Sequence, residues 1–550
     1  MRNFALLLIL CGSLFSAGLS WSNDIEIKPD TISETIFHDA INGLSSKSFT
    51  KKKEYIQAIA TSKDPQALVI LQQLLDGNIY FLKKTKTIVI AKLDNKNAVI
   101  RNAISGTDLG IIAKKRIKKV GINNKLRRQL KVEIAKLSLD SPNKTVRQQA
   151  AEEILKDINE IDLQLFTDRL TIEKDDSIVE IMQTGIALYS FKNGSVDEQL
   201  SAVKTLSNSL YPEVKNTLSN GLRSITGHPI STEKKELKHA LEASIEKIDF
   251  KLGWYKQIEN IFFGVSLGSV LLLAAVGLAI TFGVMGVINM AHGEMLMLGA
   301  YTTYIIQQIM PNAIAYSPLI AIPIAFVFTA LVGVIIERSI IRHLYGRPLE
   351  TLLATFGISL ILQQAVRTII SPQNRAVATP EWMSGSLQIN PALALTYNRL
   401  YIILFSIAVL IGLMLLLQKT RFGLQVRAVT QNRTMAKAMG IRTDWIDAYT
   451  FGLGSGIAGM AGVALSQLTN VGPNLGQAYI IDSFMVVVFG GVGNLWGTFF
   501  GAMTLGIANK YLEPMTGAVI AKVVILVFII LFIQKRPRGM FALKGRSAEN

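Results

Sequence analysis

Within the stretch INMAHGEM, residues 288–295, three side chains able to trade protons or hydrogen bonds stand close together: Asn289, His292 and Glu294. Their setting is apolar on both sides, LLLAAVGLAITFGVMGV before and LMLGAYTTYII after. A carboxylate at the centre of a membrane helix costs roughly 2.5–3.5 kcal/mol to insert, so such groups face protein or a water-filled cavity. Gly283, Gly286, Gly293 and Gly299 around them predict a broken or closely packed helix, tolerated in a membrane only where the freed backbone is buried or lines a cavity. A turn at the membrane surface, with His292 and Glu294 among the headgroups, is the alternative reading of the same pattern. Gln363 and Asn494, with Thr281, Gln364 and Asn470, are further polar groups in or beside apolar surroundings. With the first three they make up the candidate pathway for a polar solute.

Other signatures lose their chemistry once their setting is read. Residues 454–459, GSGIAG, spell G-x-G-x-x-G inside the apolar segment FGLGSGIAGMAGVALSQL. The motif binds a dinucleotide only between a strand and a helix of a soluble βαβ unit. Glycines three and four residues apart instead let membrane helices approach closely, which assigns Gly454, Gly456 and Gly459 to helix packing, as it does Gly493, Gly497 and Gly501. No G-x-x-x-x-G-K-S/T loop occurs, so hydrolysis of ATP by this chain alone is not expected, nor is any cofactor or enzymatic role. His292 and Glu294 have no second histidine at helical spacing, and Cys11 is the only cysteine, so no metal site, disulfide or thiol chemistry is expected.

The elements that must position these groups are long apolar helices. Half of the 550 residues (50%) are hydrophobic and the mean hydropathy is +0.35, but the average hides a division. Residues 23–256 are polar and Lys-rich, whereas 258–533 repeat apolar stretches of roughly 17–25 residues, the length that crosses a bilayer. The spans read as 258–281, 286–309, 317–336, 351–370, 399–417, 446–467, 479–491, 495–511 and 516–533, about nine segments, or eight if the short 479–491 is re-entrant. Basic residues gather in three places, between Arg338 and Arg347, between Lys419 and Arg442, and in the tail from Lys535, which places these in the cytoplasm. That asymmetry makes the net charge of +17 a sign of a lipid bilayer and not of nucleic acid.

The three spans before Arg338, an odd number, then put everything before residue 257 outside. Arg2, followed by an apolar run from Phe4 to Leu19 and small residues, fits a signal peptide over 1–22 and agrees with that placement. The expected organisation is all-α: the signal peptide, an exported helical domain over 23–256, a transmembrane domain over 257–535 and a cytoplasmic tail over 536–550. In the exported part DPQALVILQQLL, KTVRQQAAEEIL and VDEQLSAVKTL each set an Ala four residues before a Leu, predicting stacked helical hairpins of HEAT-like type, with an ordinary helical bundle as the alternative. Its His38, His228 and His239 are isolated and form no catalytic cluster.

Five blocks together carry a family resemblance: GLAITFGVMGVINMAHGEMLMLGAY (277–301), RPLETLLATFGISLIL (347–362), TRFGLQVRAVTQNRTMAKAMGI (420–441), GGVGNLWGTFFGA (490–502) and RPRGMF (536–541). The membrane half resembles permease subunits of branched-chain amino acid type (LivH-like) ABC transporters. A long exported domain ahead of such a core looks like the permease subunit of proteobacterial urea transporters. The resemblance implies an inner-membrane ABC importer subunit for urea, with branched-chain amino acids or short-chain amides as alternative solutes. Its implied partners are a second related permease, two ATPase subunits that use the ATP, and a periplasmic substrate-binding protein. It also implies a cytoplasmic coupling helix in RTMAKAMGI that docks on an ATPase, assigning Arg427, Gln431, Asn432, Met435, Ala436, Ala438 and Gly440 to that contact, with Met side chains filling irregular gaps. An amphipathic helix resting on anionic lipid is the other reading of that segment. Asp482, Lys510, Glu513 and Lys522, ionisable groups in or beside apolar runs, motivate a rival: a gradient-driven secondary transporter or channel.

Overall fold

The computed structural model describes residues 31–62, 64–94, 97–156, 158, 160–226 and 232–541. The expected signal peptide and the last nine residues of the tail lie outside the described residues, as does His228. Contacts divide the chain into one unit of Met1–Ser209 with Glu213–Ile245, and another of Leu210–Pro212 with Glu246–Asn550.

The first unit opens with three helices, α1 (Thr31–Gly43), α2 (Phe49–Thr61) and α3 (Ala67–Asp76). Gly77, at φ 77°, closes α3 in the left-handed conformation that glycine adopts without steric cost. The chain then departs from the all-helical expectation. Strands β1 (Ile79–Leu82), β2 (Ile88–Asp94), β3 (Asn97–Asn102), β4 (Asp108–Ala113) and β5 (Ile117–Lys119) form an antiparallel sheet in the order β4-β3-β2-β1-β5. The cause is local. In β3 Ala98 and Ile100 are buried while Asn97, Val99 and Arg101 are exposed, a period of two that no helix satisfies.

Six more helices follow, α4 (Asn124–Ser138), α5 (Lys144–Leu155), α6 (Glu160–Leu170), α7 (Asp176–Asn193), α8 (Val196–Leu206) and α9 (Pro212–Thr226). The three echoing segments lie on α3, α5 and α8, but the sheet stands between the first and the second. Ser195 and Glu198 cap α8 reciprocally, Glu198 Oε2 accepting the Ser195 backbone N–H at 2.7 Å. Ile56, Ile59, Ile70, Leu71 and Leu74 pack with Leu126 and Leu130 and with Ile79 and Ile88 of the sheet in one core. His38 is exposed and His239 is 81% exposed in its side chain.

Helix α10 (Thr232–Met285) runs unbroken for 54 residues, about 80 Å at 1.5 Å per residue. The boundary expected at 256–257 falls inside it. In the second unit α11 (His292–Ile309), α12 (Ser317–Ser339), α13 (Pro348–Ile369), α14 (Tyr397–Lys419), α15 (Arg421–Gln431), α16 (Arg433–Ala438), α17 (Thr443–Ser466), α18 (Leu475–Gly490), α19 (Leu495–Thr516) and α20 (Ala518–Lys535) follow in order. A small hairpin, β6 (Ser386–Asn390) with β7 (Leu393–Thr396), sits in the loop before α14. Among the described residues six helices are long and apolar enough to cross a bilayer: Lys234–Met285, Ile314–Ser339, Pro348–Ile369, Tyr397–Lys419, Thr443–Ser466 and Ala518–Lys535. The eight or nine expected segments also included α11, α18 and α19. Of these, α11 packs in the interior of the unit, α18 has only 16 residues, and α19 buries one glycine-rich face while exposing Trp496 and Phe500.

The most enclosed helices meet through glycine. A Cβ on Gly454 would stand 2.7 Å from the carbonyl oxygen of Gly277, and one on Gly299 would collide with the backbone of Gly459. Gly293 and Gly476 bring α11 and α18 together in the same way. Nothing larger than hydrogen fits at these crossings, so backbone lies against backbone.

Candidate functional site

Between α10 and α11 the helix breaks over residues 286–291, with Gly286 at φ 67°. Asn289, His292 and Glu294 occupy the break and the first turn of α11, and all are buried, at 2%, 0% and 1% exposure. That burial counts against the surface-turn alternative, with His292 and Glu294 among headgroups.

Each of the three faces its own partner. The Glu294 carboxylate turns to α13, where its Oε1 accepts from Ser359 Oγ at 2.9 Å and from Gln363 Nε2 at 2.7 Å. Its position in the first turn of α11 adds the favourable end of the helix dipole. Its other oxygen, Oε2, is buried without a hydrogen-bond partner among the described residues. His292 turns to α10, its Nε2 lying 2.9 Å from the Ala274 carbonyl oxygen. A carbonyl only accepts, so Nε2 carries a proton. Nδ1 is left buried and without a partner among the described residues, as is Asn289 Oδ1. The backbone N–H of Met290 donates to Thr355 Oγ1 at 3.1 Å. Thr351, Thr355, Ser359 and Gln363 therefore form a buried polar stripe, four residues apart, on α13. Sequence reasoning found Gln363 and missed the other three, although the four-residue spacing was the signal available.

Asn494 stands in a different role. Its Oδ1 caps α19, accepting from the backbone of Trp496 at 3.1 Å and of Gly497 at 3.2 Å, and its Nδ2 donates to Phe541 O at 3.3 Å. The tail is clasped there, since Met540 N donates to Phe489 O at 2.9 Å and Phe541 N to Gly490 O at 3.1 Å. The blocks at 490–502 and 536–541 are thus one structural feature. Gly493 lies against Gly283, Gly497 against Gly490, and Gly501 against the carbonyl of Val486. Gly456 lies against Phe326 and Gly459 against Thr329.

The segment expected to couple is two helices, α15 and α16, broken at Asn432, whose Oδ1 caps α16 by accepting from Met435 N at 2.9 Å. Gly440, at φ 84°, ends it. Met435 is 61% exposed, and Arg427, Gln431 and Ala438 are exposed as well. Ala436 departs from its expected role in the contact surface: it is buried against Val426, Val429 and Ile446. Arg433 ties α16 to the bundle as well. Its guanidinium donates in a bidentate pair to Asp447 of α17 at 2.6 and 2.7 Å and lies 4.2 Å from the Tyr345 ring centroid. Beside it Arg338, at the end of α12, covers Trp445 at 3.9 Å.

The ionisable residues behind the gradient-driven rival pair with one another. Lys522 Nζ stands 2.9 Å from Asp482 and Lys510 Nζ 2.7 Å from Glu513. Among the described residues no group of His, Cys, Asp and Glu is placed to hold a metal ion.

Apolar helices meeting through glycine, a broken helix with a buried carboxylate, and an exposed helix pair joined to the bundle by Arg433–Asp447 and by an apolar cluster around Ala436 are those of a polytopic membrane protein. The model of the branched-chain amino acid transport system permease component family matches residues 260–533. The chain is similar to the high-affinity branched-chain amino acid transport system permease protein BraD of Pseudomonas aeruginosa, 29% identical over 296 residues, 52% of this chain and 96% of the relative. It is 30% identical over 294 residues to LivH of Salmonella typhimurium, covering 52% of this chain and 94% of that protein. A probable LivH of Methanocaldococcus jannaschii is 28% identical over 283 residues, 50% of this chain and 88% of that protein. The chain belongs to the branched-chain amino acid transport permease family. No solved structure matches it.

Proposed function

We propose that this chain is the membrane-spanning permease of an ATP-driven importer and that its solute is a branched-chain amino acid. The observation that carries the solute is Glu294, a buried carboxylate with one oxygen satisfied and one free at a helix break. An amino acid brings an ammonium group that such an oxygen holds, and a carboxylate that suits the N-terminal end of α11. Asn289, His292 and Gln363 line the same route, with Ser359 orienting Glu294. The names of the similar permeases support this solute over urea. Urea, expected from the presence of a domain ahead of the core, carries no charge for Glu294 to recognise.

Two ATPase subunits, a second permease and a substrate-binding protein complete the importer. The basic loops and α16 face the cytoplasm, the first unit faces outward, and closure of the ATPases moves α16. Through Arg433 and Asp447 that motion reaches α17, which packs along both α11 and α12. The test is uptake of labelled leucine and labelled urea by cells lacking this subunit. Loss of leucine uptake with urea uptake intact supports the reading. The reverse pattern transfers the assignment to urea.

A further inference from the structure

The sheet of the first unit ends in a concentrated cationic surface. The β1–β2 turn carries Lys83, Lys84 and Lys86, and the link into β5 carries Lys114, Lys115 and Arg116, all exposed. Pairing brings the two segments together: the backbone N–H of Lys83 donates to Arg116 O at 3.0 Å, and Leu82 stands opposite Ile117. No acidic residue occurs from Ile79 to Leu93 or from Leu109 to Val120. Immediately before Lys114, β4 exposes Leu109 at 42% and Ile111 at 69%, and Val99, 48% exposed, stands opposite Ile111 on β3.

The turn itself shows what the cation costs. In β1–β2, Leu82 N donates to Thr87 O and Lys86 N to Leu82 O. In β3–β4, Asn102 N donates to Thr107 O and Gly106 N to Asn102 O, so the two hairpins share one geometry. The left-handed position is Gly106 at φ 68° in one and Lys86 at φ 59° in the other. A side chain at that conformation is disfavoured by roughly 1–2 kcal/mol, so the lysine is placed against local preference.

We propose that this end of the sheet is a peripheral membrane face that docks on anionic phospholipid headgroups. Lysines meet the phosphates while Leu109, Ile111 and Val99, further along the sheet beside exposed Lys92 and shortly before Lys114, offer apolar contact at the interfacial depth, the pairing that interfacial binding requires. Five of the six cations are lysine and no aromatic residue is exposed among them. Protein interfaces show the opposite composition, poor in Lys and rich in Arg, Tyr and Trp. Covalent attachment through α10 tethers the face to membrane-spanning helices, which raises its effective concentration at lipid wherever both can engage at once.

The experiment uses the full chain with Cys11→Ser and a nitroxide at Thr85→Cys, in nanodiscs of phosphatidylcholine alone or mixed with phosphatidylglycerol. Collision with a water-soluble nickel chelate reports exposure of the turn. Protection is expected only in the anionic discs and is lost in about 1 M salt, where screening is nearly complete. K86G is expected to leave the melting temperature equal or higher while lowering the docking constant about fivefold, the effect of one cation near such a surface. K83E with K84E abolishes protection. Equal exposure in both lipids, or protection untouched by these variants, overturns the proposal. So does protection that arises in phosphatidylcholine discs only on adding an acidic protein, which identifies a protein partner instead.

Discussion

Glu294 is held by two donors from α13, and its second, buried oxygen has no hydrogen-bond partner among the described residues. Glu294→Gln keeps an oxygen for Ser359 and Gln363 but removes the charge. Leucine uptake is expected to fall at least about tenfold, the equivalent of about 1.4 kcal/mol, with the protein still inserted, as quantified membrane-fraction yields will show. Unchanged uptake would remove Glu294 from the pathway. In the first unit Glu173, 3% exposed, takes a bidentate pair from Arg147 at 2.9 and 3.0 Å, and that bond holds its pKa below the ordinary carboxylate value. The bond from Lys144, with that from Ser177, lowers Asp175 to about 2. A depressed folded-state pKa gives stability that is present above the ordinary carboxylate range and lost as pH falls through the lowered value. Melting temperatures of the first-unit transition should therefore drop between about pH 4 and pH 2. Glu173→Gln should flatten that drop, and an unaltered slope would contradict the account.

At the scale of helices, crossing points and struts decide. Gly299→Val sets a side chain against the Gly459 backbone and should destabilise the second unit by about 3 kcal/mol, at the upper end for overpacking. Gly286→Ala meets no atom within 4 Å and carries only the cost of its left-handed φ, about 1–2 kcal/mol. Chemical unfolding in detergent ranks the two, and the reverse order would refute the backbone-contact reading. Arg433→Ala strands Asp447, 5% exposed, and should cost about 3 kcal/mol. The swap R433D with D447R should recover part of it, and recovery of coupled uptake with it marks the pair as a strut and not mere packing. Such helices were legible because apolar length and glycine spacing survive in any one-dimensional reading. The Arg433–Asp447 pair was not, because fourteen residues separate its members and only the fold brings them together. The sheet escaped notice because its strands are three to seven residues long and a search at helical period passes over alternation. Asn494 shows a related limit: a polar residue beside a glycine-rich apolar run reads the same whether it lines a pathway or caps a helix, and only the fold shows that it caps α19.

Over the whole molecule, a family core is joined by one continuous helix to a mixed helix-and-sheet unit that the matched 260–533 region does not include. The basic loops that suggest the cytoplasmic side and the cationic sheet end belong to different units, and the account places them on opposite sides of the membrane. Cysteine introduced at Met435 and at Thr85, in a Cys11→Ser background, should label from opposite faces in intact cells. Labelling from one face would break that topology. The central claim is that movement of solute through this chain is driven by nucleotide hydrolysis in partner subunits. Its most direct test is leucine flux into proteoliposomes holding the complete assembly, with Mg-ATP or a proton gradient as the sole energy source. Flux with ATP, none with a non-hydrolysable analogue and none with the gradient alone is the predicted result. Flux sustained by the gradient in the absence of ATP would contradict it.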